Sequence, residues 1–325
     1  MTKHVLINPD TNKLPDGIAE PDVCGAITKS GYPLQNIVAG YCEKAGFRAI
    51  EEWSYLDNDK DAEQLRTIDV KAEKQLFEYQ QGSETKIRPS LVLLIECKQS
   101  QLPYVFFLSQ HPVRISHFPV FAGLHHGEIA IKTDDDLSTY NVGILGALGL
   151  GSHSFLAEGP EFCSSFSKCV RKGKGLELSG SDPFLSLVSP LVKALQHFQR
   201  AVEPPKTALY FDLYLTLALA VIDGPMVGVR VQEKSNELVF LPWVRIVRHE
   251  YSADSGWWER GRAFAVDVVH KDFLQAYVEK NAEAFAVEFS GLAIKHHKVL
   301  ASGKGFVSGM GKNASGDLEK RLNPR

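Results

Sequence analysis

The sequence predicts an α/β fold, and three observations carry that prediction. Helical spacing over residues 33–45 is followed by segments with the two-residue period of strands. The run Leu91-Val92-Leu93-Leu94-Ile95 is apolar on both faces, as a central strand is. A second helical pattern, Leu185 to Ala201, precedes the longest apolar run, Leu213 to Ile222. That run is far short of the ~20 residues that cross a bilayer and reads as a buried strand.

In chain order, residues 1–30 carry Pro9, Pro15 and Pro21 with little periodicity and read as an extended N-terminal arm. Pro33 suits a first helical turn, Leu34, Ile37, Val38, Tyr41 and Ala45 fall at helical spacing, and Gly46 stands where a glycine stop belongs. Phe47 to Tyr55 reads as a strand and Asp57 to Glu63 as an acidic surface turn. Arg66 to Ala72 is a strand alternating Ile68, Val70 and Ala72 against Thr67, Asp69 and Lys71. Gln80 to Pro89 is a polar turn before a third strand, Ser90 to Lys98, which ends in Glu96-Cys97-Lys98. Residues 111–183 hold the glycines from Gly143 to Gly151, an acidic Asp134-Asp135-Asp136 and a basic patch from Lys168 to Lys174, and read as a large insertion.

The helix from Leu185 to Ala201 lines up Leu187, Val188, Leu191, Ala194, Leu195 and Phe198. Strands follow near Ala208 to Ile222, Met226 to Val231, Leu238 to Arg248 and Phe264 to Val269, then a last helix from Phe273 to Phe285. After Ser290 the chain turns to Gly, Ser and Lys, so residues 291–325 read as a flexible basic tail and residues 31–290 as one domain.

A net charge of -3, from 36 Lys+Arg against 39 Asp+Glu, excludes a protein that coats nucleic acid through its overall charge and leaves room for a local basic groove. Five cysteines, Cys24, Cys42, Cys97, Cys163 and Cys169, are scattered and odd in number, unlike a secreted disulfide framework, so a reduced, cytoplasmic chain is expected. The N-terminus breaks after Val5-Leu6-Ile7 and reads as no secretion signal, and no membrane partner is expected.

Three charged residues sit on strands that otherwise look like core. Asp69 lies mid-strand, facing away from Ile68 and Val70. Glu96 and Lys98 are two apart, so the strand period sends both to one face while Ile95 and Cys97 face the other way. If the second and third strands pair as a meander, an Asp, a Glu and a Lys meet at one point. Such charges are costly to bury unless paired or metal-bound. The plain alternative is an Asp69–Lys98 ion pair at a sheet end with Glu96 solvated.

The order of a helix, a strand, an Asp-bearing strand and a strand ending in Glu-x-Lys resembles the PD-(D/E)XK nuclease superfamily from about Gly31 to Phe107. The matching segments are Arg66-Thr67-Ile68-Asp69-Val70-Lys71-Ala72 and Leu94-Ile95-Glu96-Cys97-Lys98-Gln99-Ser100. They look most like the Mrr-type restriction and Holliday-junction-resolvase branches. The resemblance implies a restriction-endonuclease-like αβββαβ core, a mixed central sheet flanked by helices, completed by the helix at Leu185 to Ala201 and the strand at Leu213 to Ile222. It also implies Mg²⁺, with Mn²⁺ as a substitute, held by Asp69, Glu96 and the backbone carbonyl of Cys97, with Lys98 holding or activating the attacking water. Hard carboxylate oxygens suit that ion, and an ammonium beside the water supplies positive charge where negative charge develops.

Two departures from the pattern stand out. Ile68 replaces the proline before Asp69, and Gln35 stands where relatives place a helix Glu, with Glu43 two turns later as either a substitute or an exposed helix residue. Gln99 and Ser100 are either phosphate contacts or ordinary strand-exit residues, and Lys71 either reaches a phosphate or is solvated. Lys168, Arg171, Lys172 and Lys174 are candidate nucleic-acid contacts. Tyr104, Phe106 and Phe107 read as core, and Trp257-Trp258 beside Arg260 and Arg262 either stack on unpaired bases or anchor a surface loop.

Other chemistries lack their signatures. The pairs His125-His126 and His296-His297 miss the spacing of a zinc helix, Cys163 and Cys169 lack a second pair, and no Gly-x-Ser-x-Gly elbow or phosphate-binding glycine loop occurs. The expected function is a Mg²⁺-dependent DNA endonuclease in restriction, defence or repair, with RNA as an open second substrate and a homodimer as an open assembly. The rival is a catalytically inactive nucleic-acid-binding or protein-interaction module on the same fold.

Overall fold

Alternation along the apolar runs builds the sheet, and helical stripes cover it. The computed structural model describes residues 8–59, 62–78, 84–110, 115, 118–133, 138–251, 261–308 and 318–324. Two helices, α1 (Glu20–Lys29) and α2 (Tyr32–Lys44), lead into an antiparallel meander of β1 (Arg48–Asp59), β2 (Ala62–Gln75) and β3 (Ile87–Gln99). Next come β4 (Tyr104–Leu108), β5 (Val120–Ala122), β6 (Glu128–Thr133), β7 (Thr139–Gly143), α3 (Ile144–Ala147), α4 (Ser154–Ala157), β8 (Glu161–Lys172) and β9 (Gly175–Leu178). A π-helical turn, Phe184–Val188, opens α5 (Ser189–Ala201), and β10 (Phe211–Asp223), β11 (Met226–Val231), β12 (Asn236–Phe240), β13 (Trp243–Tyr251) and β14 (Gly261–His270) follow. The chain closes through α6 (Leu274–Tyr277), a π-helical turn at Val278–Ala282, α7 (Glu283–Lys295), α8 (His297–Ser302), β15 (Lys304–Val307), α9 (Leu318–Arg321) and β16 (Asn323–Pro324).

The main sheet is mixed, in the order β1-β2-β3-β10-β14-β13-β8-β4-β11-β12, with β5 on β10 and β9 on β8. The two most apolar strands, β3 and β10, lie parallel at its centre, and the side chains from Leu91 to Ile95 and from Leu215 to Ile222 are almost wholly buried. Burial on both faces is what removes the alternation from their sequences. Odd-numbered β3 residues, Leu91, Leu93, Ile95 and Cys97, pack with α2 and α7 in a first core. Even-numbered Val92 and Leu94 pack with α5 in a second. On α5 the stripe Leu191, Ala194, Leu195 and Phe198 is buried, and each large side chain there contributes ~1.5–3 kcal/mol.

Several expectations are corrected. The stretch read as an extended arm contains α1, whose side chains are none of them buried, which is why no periodicity showed. The stretch read as an acidic turn at 57–63 is strand at 57–59 and 62–63: β1 runs to Asp59 and β2 starts at Ala62, and Asp57 is buried between Arg66 and Lys193. Residues 111–183 are not a simple insertion, because β8 enters the main sheet between β13 and β4. Its pattern is hidden by a register shift at Phe107/Leu108 that buries Cys163 and Phe166, three residues apart. The strand expected at 238–248 breaks into β12 and β13 around Leu241-Pro242.

The largest correction concerns the tail. The helix expected to be last continues through α7 to Lys295, and α8, β15, α9 and β16 follow it. Ala293, Val299, Leu300, Val307, Leu318 and Leu322 are buried, and β15 pairs in parallel with β6 in a second, four-stranded sheet. Sparse apolar residues among Gly, Ser and Lys are enough when a sheet edge is there to receive them. Among the described residues no helix is long and apolar enough to cross a membrane.

Candidate active site

The ladder between β2 and β3 stops at Val70↔Ile95, one residue short of placing Asp69 opposite Glu96. There the Asp69 carboxylate replaces the backbone, and its Oδ2 accepts the Cys97 N–H at 2.6 Å. The N–H and C=O of one extended residue point to the same neighbouring strand, so the Cys97 carbonyl is directed into the same gap.

Across β2 lies a residue that the sequence pattern missed. The β1–β2 ladder pairs Glu51↔Val70 and Trp53↔Ile68 and skips Glu52, which adopts φ 50 opposite Asp69. At this row both strands exchange faces. Val70 and Ala72 pack in the first core but Ile68 in the second, and Ala49 borders the first but Trp53 the second. The far half of the hairpin thereby turns onto α5. Trp53 and Tyr55 stack at 5.8 Å, the Tyr55 hydroxyl donates to the Pro190 carbonyl at 2.9 Å, and Lys193 meets Asp57 at 2.6 Å. No signal in the strand alternation separates Glu52 from Glu51; only the register and the left-handed backbone do.

Electrostatics tie the group together. Lys98 Nζ donates to Glu96 Oε2 at 2.7 Å, with Glu96 4% exposed. Burial pushes the Glu96 carboxyl up to about 7; Lys98 opposes this, and the charges of Asp69 and Glu52 add to it. Asp69 is also raised by burial, against the Cys97 N–H and Lys98, which favour its ionised form, and with Glu52 raising it further. Burial alone would lower Lys98, yet Glu96 and Asp69 hold it above its ordinary value. The charge of Glu52 thus raises both carboxyls, while Lys98 is bonded to Glu96 and acts on Asp69 through its charge.

The group sits where two parallel strands end. Lys98 is paired with Ile222 of β10, and the Ser100 N–H donates to the Asp223 carbonyl at 2.9 Å. Gly224 permits this approach, because a Cβ there would come 2.2 Å from the Ser100 carbonyl oxygen. The carboxyl ends of parallel strands are where open α/β sheets present ligand sites.

The remaining expected residues fall as follows. Gln35 is buried on α2, whose apolar stripe packs with Ile95 and Cys97, and Glu43 is exposed on the same helix; the hydrogen bonds and ion pairs that join Asp69, Glu96, Cys97 and Lys98 include neither. Lys71 is not solvated: it pairs with Glu73 at 3.2 Å and lies 4.9 Å from the Phe198 ring centre. Ser100 closes a turn with Leu102, and Gln99 reaches Asp223 at 3.5 Å. Lys168 lies over Tyr104, Lys172 pairs with Glu177 at 2.9 Å, and Arg171 and Lys174 are exposed. Tyr104 and Phe106 are core. The Asp134-Asp135-Asp136 run, Trp257-Trp258 and Arg260 lie outside the described residues, as does the Arg262 side chain.

Asp267 has a structural place. With no exposure of either side chain, Arg245 makes a two-pronged bond to it at 2.7 and 3.0 Å, and Tyr277 donates to it at 2.7 Å. All five cysteines are free.

Among the described residues no group of three or more His, Cys, Asp or Glu side chains is gathered for a metal. The donors available in this part of the sheet are the Asp69 and Glu96 carboxylates and the Cys97 carbonyl, all hard oxygen. Such a set fits Mg²⁺, which commonly takes one or two carboxylates and keeps its waters. Comparison of the chain with family models, curated proteins and solved structures returns no match.

Proposed function

We propose that this chain is a metal-dependent endonuclease that hydrolyses DNA phosphodiester bonds, built on a restriction-endonuclease-like core. One observation carries the reading: Asp69 leaves its strand ladder to cap Cys97, beside a buried Glu96 tied to Lys98, at the carboxyl end of a central strand. The helix α2, the meander β1–β3, and α5 followed by β10 supply the αβββαβ order that such a core requires. The charges of Asp69 and Glu52 raise the buried Glu96 carboxyl, and a divalent cation bound beside it would favour its ionised form.

Asp69, Glu96 and the Cys97 carbonyl would hold Mg²⁺ or Mn²⁺. Bound there, the ion supplies polarisation of the phosphodiester and a more acidic water. Lys98 places its ammonium beside the developing negative charge, and the Glu96 contact fixes where that ammonium points. Tying Asp69 to a backbone N–H restrains its rotation and leaves its second oxygen for the cation.

The test is cleavage of supercoiled plasmid and linear duplex by the purified chain in Mg²⁺, Mn²⁺ or EDTA. Asp69→Asn should abolish both cleavage and calorimetric Mn²⁺ binding, because the amide withdraws a charged ligand. Metal binding that persists in this variant places the ion elsewhere and contradicts the assignment.

A further inference from the structure

The β8–β9 hairpin leaves the main sheet and stands in solvent. Its ladder runs from Cys169↔Leu178 to Lys172↔Gly175, and the residues from Val170 to Leu178 are all exposed. Within residues 168–179 the cations Lys168, Arg171, Lys172 and Lys174 face a single acid, Glu177.

The root of this hairpin is fixed beside the candidate active site. The Cys169 N–H donates at 2.8 Å to the carbonyl of Pro103, in the loop that leaves Lys98. Lys168 Nζ lies 5.5 Å from the centre of the Tyr104 ring at the start of β4. Phe166 is part of the second core, and strand alternation puts Lys168, Val170 and Lys172 on that same face. Val92 and Leu94 of β3 belong to this core too, so Glu96 and Lys98 share its face.

We propose that the hairpin is a ribbon that grips duplex DNA flanking the scissile phosphate; the inference rests on the nuclease reading and fixes its substrate as double-stranded. A two-stranded ribbon fits a major groove ~12 Å wide. From Lys168 to Lys172 the strand reaches about 13 Å at ~3.3 Å per residue, and Lys174 lies in the turn beyond it. On one face Arg171 stands opposite Leu176 and near Leu178, a guanidinium and two apolar side chains that suit base edges and thymine methyls. Lys168 and Lys172 on the other face, with Lys174 at the turn, suit phosphates. Residues 168–179 contain no Phe, Tyr or Trp, so the ribbon has no ring on which unpaired bases would stack.

The experiment uses the full chain, a fluorescein-labelled 30-base-pair duplex and its single strand, with anisotropy read in EDTA at several salt concentrations. The variant Arg171→Ala/Lys172→Ala/Lys174→Ala is compared with Lys29→Ala/Lys206→Ala/Lys234→Ala, which removes equal charge from exposed sites elsewhere. The wild type is expected to bind duplex at least tenfold more tightly than single strand. The hairpin variant should lose at least tenfold on duplex, with a log–log salt slope smaller by about 2–3, and the control variant should stay within twofold of wild type. A hairpin variant that binds duplex like wild type, with an unchanged slope, overturns the ribbon and leaves the nuclease reading standing. A wild type that prefers the single strand also overturns it. A wild type that binds neither form removes the nuclease reading and the ribbon together.

Discussion

Glu96 is a buried acid on a largely apolar strand. In the unfolded chain it ionises near its ordinary value of 4.5, whereas in the fold, burial holds its proton to about 7. Between those values the folded state binds the extra proton, so stability falls as pH rises through that window and levels off above it. The shift corresponds to about 3 kcal/mol. Glu96→Gln should flatten the stability curve between pH 4.5 and 7, read by urea unfolding of metal-free protein. A slope identical to wild type would assign that pH dependence to other groups. Asp69, Glu96 and Lys98 were legible in the sequence because strand alternation exposes a charge on an apolar strand. Glu52 was not, because its role comes from a left-handed backbone and from a register across two strands.

At the scale of elements, the exchange of faces at Glu52 and Asp69 sends the outer half of the β1–β2 hairpin onto α5. One docking contact is the Tyr55 hydroxyl on the Pro190 carbonyl, with Tyr55 2% exposed. Tyr55→Phe removes that bond and should cost about 1 kcal/mol in equilibrium unfolding. An unchanged midpoint would show that packing alone seats the hairpin. Helices α2 and α5 and the strands β1–β3 and β10 could be read from periodicity because each buries a regular face. The tip of the β1–β2 hairpin read as a loop because its acids look solvated; for Asp57, burial raises the carboxyl but bonds from Lys193 and Arg66 outweigh it and hold the group ionised. Strand β8 escaped notice because a register shift breaks its alternation.

For the whole molecule, the C-terminal segment is the point where composition misleads. Its basic excess suggested a tail, yet Val307, Leu318 and Leu322 are buried and β15 covers an edge of β6. Deleting residues 303–325 should lower the melting temperature by roughly 10 °C, from the loss of several buried side chains at ~1.5–3 kcal/mol each. An unaltered melting curve would return this segment to the status of an appendage.

The central claim is that Asp69, Glu96 and Lys98 work together on a phosphodiester. Its most direct test is the cleavage rate of duplex DNA by Lys98→Ala, with duplex affinity and Mn²⁺ affinity measured on the same preparation. The account predicts a loss of roughly a hundredfold or more in rate, while both affinities stay near wild type, because the ammonium stabilises developing charge and is no metal ligand. Equal rates for wild type and Lys98→Ala, or a wild type that cuts no duplex in either metal, would contradict it.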